Sequence, residues 1–428
     1  MSLAMQGLTL SSARLRECTY VFFATMARST GSEFVDNLPI ILPHIFDSLV
    51  MEEKGAKPDT DITNDATLIV DNDNDDDESD DDRDGLGISG SNAISEEKQT
   101  SADALGDIFL ATGASFLPYV ERSVQILLAN TSHYHENVRK SSSQALFKFL
   151  SGLHALSEEL HSGFTPDMHR SVCHAVMEQI LTMLQDEGDR VTVFTVFNDI
   201  SEVLKTVGSP LLASNNASGS QPHLDTLCTQ ILLTLQKKHP CQIEAEDDDS
   251  EDDQDLQESA EYDAMVVSSA SDAIGSLAFA LGPLFGSYYS HYHPLISKYY
   301  SPKLPVTDRS MAIGCIAEVA AGLGQGVDPF AQSMLDVFMR ALQDVDDEVR
   351  SNAAFGAGHV IRNATLDTKK YLYFFRLNLA RFNKSWNYSN LSSLDTSCLS
   401  SNASNLSSPP LTPPPQTSLI THAVALLA

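Results

Sequence analysis

One pattern constrains this chain more than any other: a stripe of small and apolar residues that recurs seven times with a cation at a fixed place. Counting from Val349, such residues fall at plus 4, 7, 8 and 11, as Ala353, Gly356, Ala357 and Val360. That spacing draws one face of a helix. From Asp189 it gives Val193, Val196, Phe197 and Ile200, and from Asp308 it gives Ala312, Cys315, Ile316 and Val319. Starts at Leu15, Glu97, Val138 and Val266 give Thr19/Phe22/Phe23/Met26, Ser101/Ala104/Leu105/Ile108, Ser142/Ala145/Leu146/Phe149 and Ala270/Ala273/Ile274/Leu277. In six of the seven the next residue is basic: Arg16, Lys98, Arg139, Arg190, Arg309 and Arg350, with Val267 the exception. A period near 3.6 is common to any helical protein, whereas a stripe with a cation at its second position marks a repeat.

Each striped helix has an apolar partner upstream, within 34–50, 116–129, 168–184, 224–235 and 330–342. Several of these open near a proline, which suits a first turn where an amide has no partner. The starts at 97, 138, 308 and 349 are spaced by about 41 residues, inside the range of HEAT and armadillo units. A single helical hairpin cannot bury its apolar face, so hairpins stack and the stack becomes the core. The sequence therefore predicts an all-α HEAT-repeat α-α superhelical solenoid over 1–362. The repeated cations are expected to play a structural part, pairing with a carboxylate or helix-end carbonyl of the next repeat. The β-rich run at 190–197 is read as helix because its stripe continues to Ile200. The apolar stretch from Met265 to Phe285 is read as a solenoid helix and not a membrane span, because it carries Asp272 and several serines.

The longer intervals contain insertions, placed at about 52–94 and 240–258, and these hold the charge. Formal net charge is −31, from 27 Lys+Arg against 58 Asp+Glu, and two acidic runs carry roughly 18 of that excess. The first includes Asp75, Asp76, Asp77, Glu78, Asp80, Asp81 and Asp82; the second includes Asp247, Asp248, Asp249, Glu251, Asp252 and Asp253. Both fall between the first and second helix of a hairpin. Loops of this kind create a negative field that draws cationic proteins and weakens with salt. They are the candidate cargo-binding residues, against the plainer reading of a solvated, self-repelling linker. A chain this acidic repels nucleic acid and anionic membrane.

No enzyme, cofactor or metal site is expected. The six cysteines are scattered without a CxxC pair, which reads as reduced and intracellular. The pairs His133/His135 and His291/His293 lack a third ligand at metal spacing. The GLGQG run at Gly322–Gly326 has no strand before it and no Lys-Ser/Thr after it, and so reads as a turn between hairpins. The tyrosines 288, 289, 292, 299 and 300 read as packing more readily than as an exposed aromatic groove.

Five segments, taken together, resemble a known family. LRECTY at Leu15–Tyr20, ASFLPYVE at Ala114–Glu121, HENVRKSSSQAL at His135–Leu146, AEYDAM at Ala260–Met265 and EVRSNAAFG at Glu348–Gly356 are similar, in order and spacing, to the middle of importin-β superfamily receptors. The resemblance covers about residues 10–362. It implies a monomeric receptor that shuttles between cytoplasm and nucleus, binds basic cargo such as histones and ribosomal proteins, and contacts nucleoporin Phe-Gly repeats. It further implies release of cargo by Ran-GTP in the longer family members, through amino-terminal repeats expected to be missing from this chain. Two other functions stay open on sequence alone: a HEAT scaffold or adaptor, and an acidic histone chaperone without Ran-dependent transport. Residues 363–428 are Ser/Asn/Leu-rich and then proline-rich. They read as a disordered tail or as translated sequence from a mis-joined gene.

Overall fold

The computed structural model describes residues 2–10, 12–52, 83–159, 163–213, 221–243 and 253–365, giving the backbone alone at 2–3, 83–91 and 253–258. The tail at 366–428 lies outside the described residues. Every regular element among them is helical. In chain order these are α1 (Ser2–Gly7), α2 (Ala13–Thr30), α3 (Leu38–Val50), α4 (Arg83–Thr112), α5 (Leu117–Asn130), α6 (Glu136–Glu158) and α7 (Pro166–Asp186). They continue as α8 (Arg190–Val207), α9 (Pro222–Leu235), α10 (Asp253–Leu281), α11 (Gly286–Tyr299), α12 (Val306–Leu323), α13 (Ala331–Ala341) and α14 (Asp347–Asn363).

From α3 onward the helices alternate as a first helix and a striped second helix of successive hairpins. The chain divides into two compact units, Met1–His169 and Arg170–Ala428. In the first, α4 packs between α2 and α6, with α3 and α5 as the accompanying layer. In the second, α10 packs between α8 and α12, and α12 between α10 and α14, with α9, α11 and α13 alongside.

Six of the seven stripes are the buried faces of their helices. Leu105, Ile108, Leu146, Phe149, Val196, Phe197, Ile274, Ile316 and Val360 are all fully buried. Each such side chain contributes roughly 1.5–3 kcal/mol relative to its exposed state. The stripe counted from Leu15 is one residue out of phase. Phe22 is 40% exposed, and the buried face of α2 is Tyr20, Phe23, Ala24 and Ala27. The register that brings the Tyr20 hydroxyl to Ser48 Oγ (2.8 Å) and the His44 carbonyl (3.1 Å) also aims Arg16 at Glu97. That register turns Leu15 and Phe22 outward.

The second helices begin earlier than the periodicity indicates. α4 opens at Arg83 and α10 at Asp253, so 83–94 and 253–258 are helix and not insertion. Asp253 is therefore the first residue of a helix, where an acid is favoured by the partial positive charge of the free amides. The apolar segment around α10 and the helix α12 are long and apolar enough to cross a membrane by length and composition. Yet Ala270, Ala273, Ile274 and Leu277 are fully buried on a helix that packs between α8 and α12, as core helices are.

Several second helices are started by a local device. Asp189 Oδ2 accepts from the Thr192 amide at 2.7 Å ahead of α8, and Asp346 Oδ1 accepts from the amides of Glu348 and Val349 at 3.0 Å each ahead of α14. His135 Nδ1 accepts from the Asn137 amide at 3.3 Å ahead of α6. Such caps are worth about 1 kcal/mol each. Many of these helices are also stopped alike. Gly31, Gly113, Gly208, Gly282 and Gly324 all sit at positive φ in the tight turn that follows a second helix, a conformation costly for any residue with a Cβ.

Candidate functional site

The cations of the repeat are joined to two kinds of partner. One guanidinium nitrogen returns to the connector just before its own helix. Arg16 donates to the Leu10 carbonyl (2.6 Å), Arg139 to those of His133 and Tyr134 (2.8 and 2.7 Å), Arg309 to Leu304 (2.7 Å) and Arg350 to Asp344 (2.7 Å). These carbonyls lie five or six residues upstream, so the arginine pins the connector to the helix that follows it. Lys98 donates to the Leu49 carbonyl at the end of α3 (3.3 Å), reaching across the acidic insertion.

The remaining nitrogens of three arginines cross to the next repeat. Arg16 makes a two-pronged pair with Glu97 on α4 (2.7 and 2.5 Å), and Arg309 makes one with Asp344 ahead of α14 (3.0 Å each). Arg190 donates to the Cys241 carbonyl (2.9 Å) and Ser259 Oγ (2.7 Å) and lies 3.4 Å from Asp263 on α10. The Cys241 carbonyl belongs to the next repeat, whereas Lys98 meets the end of the first helix of its own hairpin and the other carbonyls lie in the cation's own connector. The guanidinium of Arg309 holds the Asp344 carboxyl below the usual carboxylate range against the opposing effect of burial.

The acidic residues 75–78 and 80–82, and 247–249, 251 and 252, lie outside the described residues, and of Asp253 only the backbone is described. What the fold does establish is the junction at which they occur. One run lies between α3 and α4 and the other between α9 and α10. Both fall at the turn from the first to the second helix of a hairpin, and the shorter turns at 131–135, 300–305 and 342–346 occupy the equivalent point elsewhere. Beside the first junction, Leu49, Met51, Lys98, Ile126, Asn130 and Tyr134 line a groove of about 640 Å³.

A second set of charges lies on the solvent side of the striped helices, where the apolar periodicity carries no signal. Asp107 on α4 takes Lys148 of α6 at 2.6 Å and Arg28 of α2 at 3.3 Å. In the other unit, Asp272 of α10 and Glu318 of α12 share the influence of Lys205 on α8. Glu318 is exposed as a residue, but its carboxylate lies over Gly275, where a Cβ would collide with it. Desolvation there, reinforced by Asp272 and opposed by Lys205, pushes its carboxyl up to about 7. The signal that would have found this set is the polar residue opposite each stripe, read across consecutive repeats.

Of the histidines, tyrosines and glycine run picked out by the sequence, all but the exposed His291 are engaged in packing or in turns. His133 Nδ1 accepts from the His135 amide (3.1 Å), and buried His293 bridges the hydroxyls of Tyr289 (3.0 Å) and Ser333 (2.7 Å). Among the described residues no group of three or more His, Cys, Asp or Glu is arranged to hold a metal ion. Tyr289 and Tyr292 are buried, and the hydroxyls of Tyr288, Tyr292 and Tyr299 reach Asp225 and the carbonyls of Cys228 and Leu235. The aromatic cluster thus ties α11 to α9. In the GLGQG run, Gly322 lies against the backbone of α10, Gly324 takes positive φ, and Gly326 lies against Pro283.

Stacked hairpins with glycine-stopped second helices and arginine-pinned connectors define a HEAT-type helical-repeat protein. Comparison with known proteins agrees. The solved structure of Kap121p superposes with a TM-score of 0.64 at 14% identity, over 90% of this chain and 34% of that one. Residues 253–374 match the family described as "Importin subunit beta-1-like, TPR repeats". Probable importin subunit beta-4 of Schizosaccharomyces pombe is 30% identical over 390 residues, covering 86% of this chain and 35% of that protein. Importin-4 of Homo sapiens is 32% identical over 355 residues, covering 80% and 32%. The chain belongs to the importin-β family, with a sequence like that of importin-4 and importin β-4. It spans about a third of the length of these relatives.

Proposed function

We propose that this chain is the cargo-holding segment of a nuclear transport receptor, and that its two acidic connectors bind basic proteins such as histones and ribosomal proteins. It works by binding and by flexing between hairpins, without covalent chemistry. The observation that carries this reading is the coincidence of place: two independent acidic insertions interrupt the same junction of the hairpin. A neutral scaffold has no need of either. Nine carboxylates within residues 71–82 of one connector raise the local concentration of a cationic partner and its rate of encounter. Family membership supports the transport role. Kap121p, which shares the fold, has been solved bound to Nup53p, and contact with nucleoporin Phe-Gly repeats is part of this proposal. So is shuttling between cytoplasm and nucleus. Ran-GTP engagement belongs to the longer receptors and is not assigned to this segment.

The test is the affinity of a histone-tail peptide for the intact chain and for a variant lacking residues 71–84. Deletion is expected to weaken binding about tenfold at 50 mM salt, a loss that shrinks as salt rises. Undiminished affinity would remove the connector from the binding surface. Ran-GTP is expected to leave the complex intact.

A further inference from the structure

Histidines gather where α7, from Arg170 onward, meets the next hairpin, and two of them, His223 and His239, are buried. His223 is the second residue of α9 and is 5% exposed. Its ring centroid lies 4.7 Å from that of His174 on α7, with the planes inclined by 33°. The Nδ1 atoms of both rings are buried without a hydrogen-bond partner. At the far end of the same seam, fully buried His239 directs Nε2 to the Leu184 carbonyl of α7 (2.9 Å), and its Nδ1 accepts from the Cys241 amide (3.4 Å). An Nδ1 that accepts an amide hydrogen carries no proton, so His239 is neutral in the closed seam.

We propose that the seam between α7 and α9 is an acid-sensitive joint, closed while His223 and His239 are neutral and opened when they take up protons. A neutral imidazole tolerates one unpaired acceptor nitrogen at modest cost, but a buried imidazolium beside a second one does not. Three features oppose charge at His223: its burial, the neighbouring His174 ring, and the amino-terminal end of α9 with its partial positive charge. Glu178, one turn beyond His174 on α7, acts in the opposite sense. On its own helix, Asp225 is already engaged by Tyr288 of α11. Among the described residues, no charged group of α8, α10 or α11 adds to His174 and Glu178 at this ring. Burial accordingly holds both His223 and His239 below the ordinary histidine value of 6.5.

The direction follows from linkage. A histidine that binds protons more weakly in the closed seam than in the open one favours closure fully above 6.5. It withdraws that favour as pH falls through 6.5 toward the lowered value, and below both values the penalty is constant. The seam should therefore loosen between pH 7 and 5 while seams without buried histidines hold.

The experiment is hydrogen exchange on the intact 428-residue chain, read by mass spectrometry at imidazole C2 and at backbone amides from pH 7.5 to 5.5. His223 is expected to titrate below a free histidine. After correction for intrinsic exchange, amides of α7 and α9 should exchange at least threefold faster at pH 5.5 while those of α2, which packs on α4 with no histidine on either helix, do not. H223Q should remove most of the pH dependence from α9. A His223 that titrates at or above the free value, as when the two rings share a proton, would overturn the proposal, and so would unchanged protection of α7 and α9. If H223Q does not fold, the wild-type titration and its exchange profile decide the matter alone.

Discussion

At the scale of single residues, the repeated cation is where sequence and structure meet most informatively. Its position follows from the pattern, but its work depends on what the fold brings within reach. Arg16 and Glu97 are 81 positions apart, with a long acidic connector between them, and still form a two-pronged pair. Glu97 is 1% exposed and also accepts from Ser48 Oγ at 2.5 Å, so its charge has no route to water. Replacing Arg16 by Met should leave that carboxylate buried without its cation and cost about 3 kcal/mol, read by urea denaturation. Unchanged stability would mean that the crossing arm adds nothing.

At the scale of elements, glycine decides how closely the striped helices approach. A Cβ at Gly322 would lie 2.6 Å from the Ala278 carbonyl carbon and 2.7 Å from the Phe279 nitrogen. These are backbone atoms that cannot step aside. Replacing Gly322 by Leu should force α10 and α12 apart and cost about 3 kcal/mol in urea denaturation. A variant as stable as the wild type would show that the helices can part freely. The run that looks like a phosphate loop is thus a close crossing followed by a helix stop. The glycines at positive φ after the second helices mark the same repeat as the stripe does. A lone glycine carries little signal, so they become legible in the sequence only when their counterparts in other repeats are lined up with them. The stripe of α2 falls out of phase for a related reason. Thr19, Phe22, Phe23 and Met26 match the template as well as Tyr20, Phe23, Ala24 and Ala27 do, and only the contacts of Tyr20 and Arg16 choose between them.

At the scale of the whole molecule, the excess of 31 negative charges acts in two opposed ways. It repels itself, which weakens the folded state, and it attracts basic partners. Salt screens both effects. Raising NaCl from 50 to 500 mM should therefore raise the melting temperature by a few degrees, read by scanning calorimetry, and over the same range lower the affinity for a histone tail. Parallel changes in the two quantities would mean that the charge is paired internally and not available to a partner. The solvent-side charges Asp272 and Glu318 belong to this balance as well, since burial makes each resist ionisation and the Asp272 charge adds to that resistance at Glu318.

The sequence by itself determined the helices, their pairing into hairpins, the buried faces of six of the seven striped helices and the junctions at which the acidic runs interrupt them. All of these follow from periodicity and local chemistry within some forty residues. Tertiary structure alone decided which carboxylate each arginine meets, which polar faces line up across repeats, and that His174 and His223 meet across a seam. Those relations join residues that are distant in the chain, and they exist only once the hairpins have packed, because burial and close approach give each group its partner and its charge state.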